Sequence, residues 1–160
     1  MRTQQPILII VQSGETSIRL SLDPDRTSDC DASPISVQVY IRCHDGRAAF
    51  VTDYCSRRSL VDLRDSLEAV EAGLADSAAL STMDGGFELL VKSGRGGYRL
   101  RGKAMPSKDA NLNSCGESEL SAPASQLFKF SSELTLNDLR AALLQLNESL
   151  ARLQGTVIDH

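Results

Sequence analysis

Tryptophan is absent, and three tyrosines and four phenylalanines bring the aromatic share to only 4%. A core made from this chain must rest on Leu, Ile and Val, and single-stranded nucleic acid finds few aromatic rings on which to stack its bases. Histidine is almost missing too. His44 sits beside Asp45 in a turn signal and His160 is the last residue, so neither is placed as a general base. Long hydrophobic runs are lacking: the longest purely apolar stretch, Ile7 to Val11, has five residues, too few for a bilayer span or a signal-peptide core. A soluble cytoplasmic protein with no membrane partner is the expectation. The four cysteines, Cys30, Cys43, Cys55 and Cys115, show neither zinc-ribbon nor redox spacing, so free thiols are expected. Cys43 and Cys55 are spaced to face each other across a hairpin, which leaves a disulfide or metal open there.

Catalytic motifs fail on inspection. A Cys–His pair of Cys43 or Cys55 with His44 is adjacent in sequence, not arranged in space as a nucleophile and base need to be. Gly97 to Lys103 (GYRLRGK) has the glycine and lysine spacing of a phosphate-binding loop, but Ala104 replaces the hydroxyl residue and the alternation is that of a strand. Asp23 to Pro34 gathers four aspartates, yet lacks the glycine and the closing glutamate of a calcium loop. No catalytic residue, metal or cofactor is expected, and the chain reads as a binding protein.

What is present is strong patterning. With 160 residues, 41% of them hydrophobic and 24% charged, the chain suits one domain with its own core, and a net charge of −4 disfavours nonspecific nucleic-acid binding. Period-two alternation predicts strands at 7–11, 16–22, 35–43, 47–54, 78–83, 87–93, 98–105 and 126–132, with Ser13-Gly14, Asp45-Gly46, Gly85-Gly86 and Gly94 to Gly97 as turns. Period-3.6 patterning predicts helices near 60–72 and 136–154. The fold class is therefore α+β, an antiparallel sheet of about eight strands with two amphipathic helices, in the order ββββαββββα. Pro106 to Ser125 is a polar, Ser-rich stretch read as a flexible loop at 106–125 within that single domain.

The two helical stretches resemble one another. SLVDLRDSLEAVEAGL from Ser59 to Leu74 matches TLNDLRAALLQLNESL from Thr135 to Leu150 in register, through either duplication or shared helix chemistry. Ser59 and Thr135 read as N-caps with Asp62 and Asp138 reaching back to them, and Gly73 and Gly155 read as helix ends, with Leu74 supplying an apolar contact. Leu60, Leu63, Leu67 and Val70 should be buried on the first helix, and Leu136, Leu139, Leu143, Leu146, Leu150 and Leu153 on the second. The second seam is more suited to a sheet than to a coiled coil.

Two charged surfaces follow. Asp62, Asp65, Glu68 and Glu71 recur every third residue along the first helix, with Asp76 beyond, as a solvated face or a docking ridge for a basic partner. Lys92, Arg95, Arg99, Arg101 and Lys103 form a basic face on one hairpin; without interleaved aromatics it is disfavoured as a nucleic-acid site.

The hairpin VQVYIRCHDGRAAFV, the helix SLVDLRDSLEAV, the hairpin FELLVKSGRGGYRLRGKA and the closing FKFSSELTLNDLRAALLQL together resemble the small bacterial domains of the WapI-type immunity group and related domains of unknown function. The likeness runs from about Ser36 to Leu153 and lies in element order and turn placement. It implies an intracellular protein that neutralises a toxin by binding it, without chemistry; with the acidic ridge, the expected partner is a basic, toxin-like protein. The alternative is a homo-oligomeric structural or scaffold protein, with a sheet edge or the second helix as the homodimer interface.

Overall fold

The computed structural model describes residues 7–14, 16–23, 33–106 and 127–158, with side chains to 153 in the last stretch. The 106–125 loop beyond Pro106, most of the aspartate-rich loop, Cys30, Cys115, Gly155's side of the last helical turn and His160 lie outside the described side chains. In chain order the elements are β1 (Ile7–Ser13), β2 (Thr16–Leu22), β3 (Ile35–Arg42), β4 (Ala48–Cys55), α1 (Arg57–Glu71), β5 (Ser77–Ser81), β6 (Phe87–Gly94), β7 (Gly97–Ala104), β8 (Phe128–Leu134) and α2 (Leu136–Ile158). The class is α+β in the order ββββαββββα. The eight strands divide between two antiparallel sheets, β1-β2-β3-β4 and β5-β6-β7-β8, each a meander.

Alternation explains the strands. Ile7, Ile9 and Val11 of β1, Ile18, Leu20 and Leu22 of β2, and Val37, Val39 and Ile41 of β3 all turn inward, while their neighbours stay wetter. With both sheets and both helices contributing, one hydrophobic cluster fills the interior. In the second sheet a glycine makes room for the scarce aromatic: a Cβ on Gly102 of β7 would lie 2.0 Å from the Phe130 ring of β8.

The two halves hold each other. α1 packs on β5, the first strand of the other sheet, while α2 packs on β1, and the helices also touch. Gln145 of α2 accepts from the Ile10 N–H at 2.8 Å, and the Ser149 hydroxyl lies 3.5 Å from the Leu8 carbonyl, so the helix covers backbone groups that an edge strand would otherwise offer to another chain. The leucine seam of α2 is spent in the same way, inside its own chain. Each sheet's closing strand reaches the other sheet's hairpin tip. The Ser13 hydroxyl at the end of β1 donates to the Glu133 carbonyl of β8 and stands 2.8 Å from the Ser132 hydroxyl. Arg47, in the β3–β4 turn, donates to the Lys129 carbonyl of β8 at 3.1 Å and lies over the Phe128 ring. On the other side, Met83 in the β5–β6 turn donates its backbone N–H to the Tyr54 carbonyl of β4 at 2.8 Å.

The helix ends correct three expectations. Ser56, not Ser59, caps α1: its side chain accepts from the Ser59 N–H and its own N–H donates to the Ser59 hydroxyl, both at 3.1 Å. Asp62 is thus a turn too late to serve the cap. Thr135 does cap α2, in a reciprocal pair with Asp138. Gly73, at φ +77°, closes α1 as expected, with Leu74 N–H bonded to Ala69 and Gly73 N–H to Val70, but Leu74 is 83% exposed and so buries little against the helix end. Gly155 falls inside α2 and does not end it. Leu136 is also exposed. The sequence match aligns Leu136 with Leu60, whereas the caps align Thr135 with Ser56, three residues earlier and close to one helical turn. By the caps Leu60 corresponds to Leu139, and both are wholly buried.

Candidate functional site

The acidic ridge is real as a surface, though shorter than its sequence pattern. Asp62, Asp65 and Glu68 are exposed along α1; Glu71 is half-buried and accepts from Arg140 of α2 at 2.7 Å. Asp65 pairs with its neighbour Arg64 at 3.1 Å, and among the described residues Asp62 and Glu68 make no ion pair. The placement runs against the helix's own field. Arg57 and Arg58 open α1, its first turn holds no acid, its last turn holds no base, and Glu68 and Glu71 stand at its negative end. Each misplaced charge costs about 0.3–1 kcal/mol at a surface.

Lys92, Arg99, Arg101 and Lys103 share the outward face of the second sheet. The register sets Lys92 opposite Arg99 and Lys103 opposite Lys129, the last a cation that the sequence reading did not include although the alternation of FKF signals it. Arg95 stands apart from them, exposed in the β6–β7 turn. The structure brings the ends of the two charged surfaces together: an open cleft of about 660 Å³, between the C-terminal turn of α1, the β6–β7 turn and the start of α2, is lined by Glu71, Asp76, Arg95, Tyr98, Arg99 and Leu136 among others.

The family model of WapI-like immunity proteins matches residues 9–154, which reach from within β1 through every other strand and α1 to within α2. The chain belongs to this family. No curated protein matches it. Immunity proteins of this kind act on a protein partner, and the two thiols among the described residues lie apart from one another. The β3–β4 register puts Cys55 opposite Ile35, at the far end of the hairpin from Cys43, so the two thiols do not face one another and both are free. Burial pushes the Cys55 thiol to about 12, with the Asp53 charge adding to it, and burial raises Cys43 as well despite the nearby Arg47. Both shifts favour the protonated thiol over the reactive thiolate. His44 is exposed in its turn, where Asp45 is held below the usual carboxylate range by the backbone and side chain of Arg47. The GYRLRGK stretch is strand β7. Among the described residues no cluster of His, Cys, Asp or Glu could hold a metal ion, and no helix is long and apolar enough to cross a membrane.

One residue that sequence reasoning passed over is the most tightly held carboxylate in the described structure. Asp53, 2% exposed on β4, accepts from the Thr82 hydroxyl at 2.5 Å and from the Gly86, Asp84 and Tyr54 N–H groups at 2.8, 3.1 and 2.7 Å. Burial pushes its carboxyl up, but the hydrogen bonds, that of Thr82 foremost, outweigh burial and hold it below the ordinary value. Gly86 is required for this approach, since a Cβ there would lie 2.8 Å from the Asp53 oxygen. The role is positional: Asp53 fixes the β5–β6 turn, and with it the strand on which α1 rests. Its signal was the alternation Ala49, Val51, Asp53, Cys55, which sends a carboxylate inward.

Proposed function

We propose that this WapI-like immunity protein works in the cytoplasm by covering a basic protein partner, and that the α1 ridge makes the contact. The observation that carries the reading is the disagreement between α1's charges and its macrodipole. A helix selected for stability alone would not carry Glu68 in its last turn without a base beside it; with Asp62 and Asp65 continuing the exposed negative ridge, the surface suits a positive partner, for which complementary charge raises the encounter rate and fixes register. Occlusion needs no reaction, in keeping with the buried thiols and the turn-bound histidine.

The test is capture from native lysate with the wild-type protein and with Asp62→Lys/Asp65→Lys/Glu68→Lys. Wild type should retain a stoichiometric basic protein that salt releases, and the variant should lose it by at least about tenfold, as removal of several complementary charges requires. Equal capture by the variant sinks the ridge as the contact surface.

A further inference from the structure

The outward face of the second sheet sets like charges against each other twice, Lys92 against Arg99 and Lys103 against Lys129, with Arg101 between the pairs, while on their other sides Arg99 faces Glu133 and Lys103 faces Glu88. Directly opposed like charges weaken a sheet. Glu88 and Glu133 share the face, yet among the described residues neither forms an ion pair with these cations, and the nearest polar contact of Arg99 is the Ser131 hydroxyl at 3.4 Å. Five cations against two carboxylates leave this face net positive on a chain whose net charge is −4. The opposite sign is exposed on the same molecule at Asp62, Asp65 and Glu68 of α1, with Arg64 paired to Asp65 among them.

We infer that the basic face of the second sheet docks the α1 ridge of a second copy of this chain. The two arrays are of similar length: Asp62 to Glu68 spans roughly 9 Å of helix and Arg99 to Lys103 roughly 13 Å of strand, with neighbouring strands about 4.8 Å apart. Long, mobile cationic side chains close the difference. Nucleic acid fits less well, because Phe87, Phe128 and Phe130 are buried and leave nothing on this face for bases to stack on. Two different surfaces meeting produce a head-to-tail contact, so copies add into rings or open chains in place of a two-fold dimer. The net charge opposes approach at long range, but at about 0.1 M salt screening confines each charge to about 10 Å and the local match decides. The inference shares the ridge with the partner-binding reading, yet its test needs no partner, so the two fail separately.

Sedimentation velocity across a concentration series decides it, on wild type, on Asp62→Lys/Asp65→Lys/Glu68→Lys and on Arg99→Glu/Arg101→Glu/Lys103→Glu, with circular dichroism as the check on folding. Wild-type mass should grow with concentration at about 0.1 M salt and association should weaken at least about tenfold at 1 M. Each variant alone presents two surfaces of one sign and should stay monomeric; an equal mixture restores complementary surfaces and should associate again. A wild type that stays monomeric throughout overturns the inference, as does a folded variant that associates like wild type or a mixture that does not recover. An oligonucleotide bound by monomeric wild type and lost in the sheet variant overturns it too, and assigns the face to nucleic acid.

Discussion

Helices α1 and α2 occupy matching places in two ββββα halves and are built to different ends. Both start on a reciprocal hydroxyl-containing cap and bury an apolar stripe against the other half's first strand. Three residues before each cap a polar side chain reaches the other half's first hairpin: Asp53 takes hold of the β5–β6 turn, and Ser132 meets Ser13 at the end of β1. The difference is electrostatic. Asp138 sits in the first turn of α2, where the helix end is positive, while α1 opens on two arginines and closes on glutamates. The packing is shared and the charge placement opposed, although Glu71 at the end of α1 is answered within the fold by Arg140 of α2.

That comparison can be broken most directly at its register. Leu60→Ala and Leu139→Ala should each cost about 2–5 kcal/mol in urea unfolding, whereas Leu136→Ala should stay within about 0.5 kcal/mol, because exposed sites leave no cavity. A large effect at Leu136 would restore the alignment that the sequence match suggests. Next come the junctions. Asp53→Asn should cost about 1–3 kcal/mol, since buried donors lose a charged acceptor, while Ser132→Ala should cost about 0.5–1.5. Because the Asp53 carboxyl is held low in the folded state, its contribution is complete above the unfolded value of about 4 and fades as pH falls through the lower folded value. Wild-type stability should thus drop more steeply on acidification than that of Asp53→Asn, and parallel curves would remove the role assigned here. Cap removal comes third: Ser56→Ala and Thr135→Ala should each lose about 1 kcal/mol by thermal unfolding. The smallest effect is the sharpest in sign. Glu68→Lys should stabilise by about 0.3–1 kcal/mol while Asp138→Lys destabilises by a similar amount, and a destabilising Glu68→Lys would end the argument from the macrodipole.

Local periodicity carried the sequence reading far. Every strand lies within a few residues of its expected place, and the buried leucines follow the three-four spacing apart from Leu136. The errors share a cause in near-equivalent local signals. Ser56 and Ser59 offer the same hydroxyl, and only the backbone chooses between them; Leu136 belongs to a match shifted by about one turn, which still places like residues on like faces. What stayed hidden was long-range. Nothing local tells β4 from β5 as the boundary between two sheets, because the boundary depends on Asp53 reaching Thr82 and Ser13 reaching β8. Of the charged surfaces, the alternation of Arg99, Arg101 and Lys103 was legible, as was the ridge. The pairing of Lys103 with Lys129 was not, since strand register is set by partners far along the chain.

The cover that α2 lays over β1 also has a timetable. On the ribosome β1 emerges first, and the helix that satisfies its edge is made roughly 120 residues later, which at 5–20 residues per second leaves about 6–25 s in which Ile10 and its neighbours have no α2 to pair with. During that interval the nascent first sheet is a strand-pairing hazard to its neighbours on the same message, and slowing synthesis ahead of Leu136 lengthens the exposure without altering a single residue.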